Sequence, residues 1–402
     1  MKQPELVTFA STSQEIQTAI NSGIDHLILE DPCLSARCTE QKIDPSFQSL
    51  NKLIQEAKDS KPTLKLSFNS DIMIHDQHFP LLHTLIDVLK KHHIQTIRIQ
   101  DPGLILFIQA HYPSASIHLA TETANNSISS LQTFTELGVK RQVLTNEMPY
   151  TVISQLDTLE CELELQVQGP ILIQYAYRRF MYNALIQQGE TPPNAIVKLA
   201  EDKDFPKRYF GMIDNHHGHF MFAHFDRCLL TELPNLLKLP LSSWLIDTRG
   251  SDNPTAQTLL QTYKRALTTC LKSPENWDPA KELNHLKKQI KKPLKPGFFI
   301  SNKTDSDWRD QHHSKKQSGN LIGKVIHSQK GQSLIIDCIT TLDPKTKLVF
   351  STPEHKTIPL AKKEIFTIDE NPIQIGKKQT LVRLPWQKGI SVGSLLLQDC
   401  HQ

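Results

Sequence analysis

Apolar and polar positions follow two rhythms over the first two thirds of the chain. Short runs with strand character lie at Glu5–Ala10, Gly23–Glu30, Leu64–Asn69, Thr96–Asp101, Ser116–Thr121, Arg141–Thr145, Glu162–Gln168 and Ser243–Asp247. Between them apolar residues recur at helical spacing: Ile16, Ala19 and Ile20; Leu50, Leu53, Ile54 and Ala57; Leu81, Leu82, Leu85, Ile86 and Leu89; then Leu104 to His111, Leu131 to Gly138, and Thr258 to Leu267. Eight strands interleaved with helices predict a (β/α)8 barrel over residues 1–270. An open doubly wound sheet would need a reversal of strand order, and no Gly-rich phosphate loop is present.

The stretch 169–241 is a long insertion after the seventh strand, where short loops are the norm. In it, Asn215-His-His-Gly218 reads as a turn before a strand at His219–Phe222, and His216, His217 and His219 are expected to be solvent-exposed turn residues, since their spacing fits no zinc pattern. Residues 271–320 read as a basic linker containing one short helix (Trp277 to Ile290). Residues 321–402 carry five or six short strand patterns and predict a small β-barrel domain.

Composition changes this picture little: 38% hydrophobic and 22% charged residues suit an ordinary folded protein. No apolar run is long enough to span a membrane. The first twelve residues hold one Lys and no sustained apolar segment, so a secretory signal is not expected. Seven scattered cysteines form no disulfide framework, which points to the reducing cytoplasm. The net charge is +3, but residues 271–320 hold eleven Lys or Arg against six Asp or Glu. Within that stretch Lys287, Lys288, Lys291, Lys292 and Lys295 are candidates for sequence-independent phosphate contacts with RNA; the plainer reading is a solvated linker.

In a barrel of this kind, chemistry sits at the carboxyl ends of the strands. Carboxylates there, Glu30, Glu122, Glu147 and Asp247, could supply acid–base pairs, or could simply cap the helices that follow. Glu122, Glu147 and Asp247 are taken as catalytic candidates, and Asn69, Asp101, Thr121 and Arg249 as substrate-binding ones. Arg249 is the natural anion anchor among them. Neither a Gly-x-Ser-x-Gly nucleophile nor a His-Glu-x-x-His metal motif occurs.

Six motifs in order resemble the collagenase-like peptidase family U32. They are Gly23–Leu29, Asp101-Pro-Gly103 with the strand Ile117-His-Leu-Ala-Thr-Glu122, Val143-Leu-Thr-Asn-Glu147, Glu164–Gly169, Asp226-Arg-Cys-Leu-Leu230 and Leu245-Ile-Asp-Thr-Arg249. The resemblance implies a link to peptide hydrolysis or to oxygen-independent hydroxylation of RNA (tRNA or ribosomal RNA) or of ubiquinone precursors. The hydroxylation members resemble one another in four cysteines that hold an iron–sulfur cluster. Here two of those places hold Leu172 and Arg179, a third has no cysteine between Cys161 and Cys228, and only Cys228 remains. Neither Leu nor Arg can replace a thiolate ligand, so no cofactor is expected. Cys33, Cys38 and Cys228 are the fallback ligands. Two further polar family residues differ: the family's Arg before Glu is Asn146, and its His before Gly is Gln168. The chain therefore reads as a divergent member, or alternatively as a cluster-free accessory or RNA-binding subunit of a cysteine-complete paralogue.

Overall fold

The computed structural model describes residues 3–38, 43–121, 127–202, 208–300, 319–353 and 356–399. The chain divides into two compact units, Met1–Asn302 and Lys303–Gln402. In the first, β1 (Glu5–Ala10), β2 (His26–Leu29), β3 (Lys65–Ser70), β4 (Thr96–Ile99), β5 (Ser116–Leu119), β6 (Arg141–Leu144) and the start of β7 (Glu162–Ala176) lie side by side and parallel. The insertion contributes β8 (Ile196–Glu201), β9 (Tyr209–Asn215) and β10 (Gly218–Cys228). Then β11 (Ser243–Ile246) pairs with both β7 and β1 and closes an eight-stranded barrel. Helices fill the connections. The first, Ser13–Asn21, opens with a reciprocal cap in which Thr12 Oγ1 accepts from Glu15 N and the Glu15 carboxylate accepts from Thr12 N.

Strand alternation sorts the barrel residues onto two faces. Leu6, Leu27, Leu29, Leu66, Phe68, Ile97, Ile99, Leu163, Leu165 and Trp244 point outward and form the main core under the helices. The inner face is different: apart from Val143 and a small apolar group of Val7, Phe9, Ile28 and Leu245, it is mostly polar. Glu164 pairs with Arg98 and Arg141 and accepts from Ser243 Oγ at 3.0 Å. Arg141 also meets Glu162 and Glu5, and His26 bonds Ser67. Burial would raise the Glu164 carboxyl, but Arg98 and Arg141 outweigh it and hold it at about 2. His118, buried beside Arg141, is pushed well below the usual imidazole range.

Past the barrel, β7 does not stop at Gly169-Pro170. It continues to Ala176, pairs antiparallel with β10, and so carries a sheet ordered β7-β10-β9-β8 away from the barrel. Gly169 sits at φ +120°, where a Cβ would collide with the Asp247 carbonyl.

The basic segment is not a solvated linker through residue 300. The last barrel helix runs on to Lys272, the helix Pro279–Gln289 is capped by Asp278 and buries Leu286 completely, β12 (Leu294–Lys295) adds to β10, and Phe299 is buried. Lysines on the outer face of that helix hide its one buried leucine from a composition count. Its neighbours Lys287, Lys288 and Lys291 are exposed, whereas Lys292 pairs with Asp226 at 2.7 Å and Lys295 lies over the Phe225 ring.

The second unit is an antiparallel sheet of β13 (Gly319–Gln329), β14 (Ser333–Cys338), β15 (Leu348–Ser351), β16 (Thr357–Pro359), β17 (Ile365–Phe366), β18 (Pro372–Ile373), β19 (Leu381–Pro385) and β20 (Leu395–Asp399), ordered β16-β15-β20-β13-β14-β19-β17-β18. Its core is Val325, Leu334, Ile336, Phe350, Val382, Leu384 and Leu396. Among the described residues, no helix is long and apolar enough to cross a membrane.

Glu164→Gln should be strongly destabilising, because Arg98 and Arg141 would then face a neutral amide inside the barrel. Breaking a buried pair of this kind costs roughly 3–5 kcal/mol, so the urea midpoint should fall clearly. An unchanged midpoint would show that the inner charges do not hold the barrel.

Candidate functional site

At the carboxyl ends of the strands, alternation delivers Phe9 from β1, Glu30 just past β2, Asn69 and then Asp71 from β3, and Asp247 just past β11 to one place. Two residues beyond Asp247 the chain turns back. Arg249 donates from its backbone N and its Nε to Asp247 Oδ1 (3.1 and 2.9 Å) and from Nη2 to Oδ2 (2.7 Å). Its Nη1 reaches Glu30 Oε1 at 2.8 Å and Asp71 Oδ2 at 3.4 Å. The guanidinium carbon lies 3.5 Å from the centre of the Phe9 ring, which forms the floor. Asn69 Nδ2 donates to the same Glu30 oxygen at 2.8 Å.

A loop after β2 supplies a second cation. Asp31 folds it by accepting from Cys33 N, Ser35 Oγ donates to Asn69 O at 2.6 Å, and Ala36 N donates to Asp71 Oδ1 at 2.6 Å. Arg37 then lies 3.1 Å from Asp247 Oδ2 and stacks over Phe222 of β10. The insertion hairpin presses on this loop: Asn215 Nδ2 donates to Ala36 O at 2.7 Å, and ring nitrogens of His216 and His217 lie 2.9 and 2.8 Å from Pro32 O. His217 and His219 are buried, against the expectation of exposed turn histidines. They are used to seat the hairpin, with His219 Nδ1 2.5 Å from Asp214 Oδ1. Burial depresses His217 to about 4.

Three carboxylates thus face two guanidiniums in a buried space. Burial penalises all three. Arg249 and Arg37 outweigh that penalty at Asp71 and Asp247, whose carboxyls stay below the usual range. At Glu30 burial dominates, Arg249 opposes it, and the like charges of Asp71 and Asp247 add to it, so that its carboxyl rises to about 7. Of the three carboxyls, Glu30 is therefore the one whose protonated form the surroundings favour. A carboxyl poised near neutrality beside a fixed guanidinium can exchange a proton with a bound molecule.

Of the residues singled out in the sequence, Glu30, Asn69, Asp247 and Arg249 meet here. Thr121 is buried at the end of β5. Asp101 is occupied with its own turn, accepting from Gly103 N and Ile74 N. Glu147 is exposed, and Glu122 lies outside the described residues. Asp71 and Arg37 were not foreseen; Asp71 follows Asn69 by two, one residue past the end of β3, and that alternation was a usable signal. Asp247 is gripped by two arginines and held below the usual carboxylate range, whereas Glu30 is raised.

The cluster positions do not fit an iron–sulfur group. Leu172 is buried in the β7–β10 ladder opposite Phe222. Arg179 donates to Asn194 O at 2.6 Å and stacks on Tyr182. Cys228 is buried 3.8 Å from Tyr263 Oη. Burial raises the thiols of Cys33 (to about 12), Cys38 and Cys228, and among the described residues no three His, Cys, Asp or Glu side chains group as metal ligands would.

Comparison with known proteins gives a consistent answer. A family model described as peptidase family U32 matches residues 11–309. The tRNA hydroxylation protein P1 of Bacillus subtilis (strain 168) is 19% identical over 340 residues, covering 83% of this chain and 80% of its own. The tRNA hydroxylation protein P2 of the same strain is 20% identical over 310 residues, 75% of this chain and 98% of its own. The tRNA hydroxylation protein P of Escherichia coli (strain K12) is 21% identical, covering 66% and 68%.

Because the folded Glu30 value lies above that of an unfolded carboxyl, its stabilising contribution is present at low pH and is lost as pH rises through about 7. Glu30→Gln removes that dependence. In thermal melts between about pH 5 and pH 8.5, the variant should gain on the parent as pH rises. A gap that stays constant with pH would mean Glu30 does not titrate there.

Proposed function

The chain belongs to peptidase family U32, and on that premise we propose that it serves the hydroxylation of tRNA rather than the hydrolysis of peptides. The observation that carries this reading is the extent of its similarity to proteins named for tRNA hydroxylation, which runs over 80% and 98% of their lengths. A thiol-peptidase reading is poorly supported, since Cys228 is buried, raised by burial and bonded to Tyr263. Work on tRNA implies a cytoplasmic setting.

In this reading the mouth cluster does the local work. Arg249, with Phe9 beneath it, holds the carboxylates of Asp71 and Asp247 in place, and Glu30 gives or takes a proton at its carboxyl oxygen. Lys287, Lys288 and Lys291 remain exposed for the RNA backbone, while Lys292 and Lys295 are engaged with Asp226 and Phe225. A second reading, a cluster-free partner of a cysteine-complete paralogue, rests on the resemblance, which puts Leu172 and Arg179 at cysteine places; here the two are engaged in strand pairing and a hydrogen bond.

Loss of the gene in its host should remove a hydroxylated nucleoside from bulk tRNA, read by mass spectrometry of digests. Wild-type protein should restore it and Glu30→Gln should restore it at least tenfold less well, a general acid–base contribution being about 10²–10⁴. Unchanged nucleosides after deletion would refute the assignment. Protein purified without oxygen should carry far less than the about four irons of a four-iron cluster; a brown preparation with that content would refute the cluster-free reading. Replacing Lys287, Lys288 and Lys291 by Gln should lower the log–log salt slope of tRNA binding by about 2, at ~0.7 per single-strand phosphate contact.

A further inference from the structure

Arg227, on β10, is completely buried. Its Nη1 donates to Asn146 Oδ1 at 2.5 Å, with Asn146 O at 3.5 Å. Among the described residues, its Nε and Nη2 have no partner. Those two atoms form the side-on edge of the guanidinium, where two N–H bonds run nearly parallel and match the two oxygens of a carboxylate or phosphate. The adjacent Asp226 points to the opposite face of the strand and is met by Lys292 at 2.7 Å. Across the ladder stands Gly169, which brings no side chain, and the Phe299 ring centre lies 5.8 Å from the guanidinium carbon. Asn146 is itself fixed, its Nδ2 donating to Gln166 Oε1 at 3.0 Å.

A buried cation with its fork unfilled is one counter-charge short. The guanidinium arriving from β10 thus ends on Asn146, two residues past β6.

We propose that Arg227 is the receptor for the oxyanion group, carboxylate or phosphate, of a small-molecule ligand, gripped in two-point fashion on its Nε–Nη2 edge above β6 and β7. Complete burial rules out an RNA backbone as the source. The turn Gly297–Phe299 is the cover that an entering anion displaces. The inference does not depend on the tRNA reading.

The test uses the full chain in chloride buffer, with inorganic phosphate or malonate added at matched ionic strength and followed by thermal unfolding and calorimetry. At least one anion should raise the melting temperature of the wild type saturably, and which one does so distinguishes the two sources. Arg227→Leu, an apolar replacement that should still fold, is expected to bind that anion at least about tenfold more weakly. Arg227→Lys keeps the charge, loses the fork, and should also bind more weakly. No saturable response to either anion in the wild type, an unchanged response in Arg227→Leu, or full binding by Arg227→Lys would each overturn the proposal.

Discussion

Charge inside the barrel has to be neutralised, and the rest of the first unit is arranged to do it. A barrel of this size is usually filled by branched apolar side chains; this one places Glu164 on its inner face, buried to near completion. An isolated carboxylate there would be prohibitive. Arg98 from β4, Arg141 from β6 and the Ser243 hydroxyl from β11 converge on it, so one acid ties together four of the eight strands. At the mouth the same problem recurs with a different outcome. Arg249 and Arg37 cannot satisfy three carboxylates fully, and the shortfall appears as a raised Glu30 carboxyl.

Much of this was legible in the amino-acid order. The outward apolar positions of each strand and the helical stripes between them define a barrel, and the polar residues ending those strands locate its mouth. Asn69, Asp247 and Arg249 were visible that way. Asp71 could have been read by the same alternation from Asn69; Arg37 could not, because it lies on a loop whose course is set by long-range bonds to Asn69 and Asp71. The same limit applies to His217. A polar turn sequence looks exposed until something packs against it, and here the partner, Pro32, is far away in sequence.

Two other departures have local causes. Gly169-Pro170 reads as the end of a strand, yet β7 runs through it, because Gly169 alone can take the backbone angle that lets the strand pass the Asp247 carbonyl. The lysine-rich stretch before residue 300 reads as solvated, yet Leu286 and Phe299 anchor it. In both cases a single small or apolar residue outweighs the composition around it.

The polar filling of the barrel also bears on how the protein responds to heat. Exposure of apolar surface raises the heat capacity of unfolding and exposure of polar surface lowers it. A barrel whose inner face is held by Glu164, Arg98 and Arg141 therefore adds less curvature to the stability profile than one filled with Val, Ile and Leu. The hydration of charged groups also becomes less favourable as temperature rises. On warming, the inner ion group loses less than the apolar layer outside it, and the helices should loosen around a barrel that is still closed.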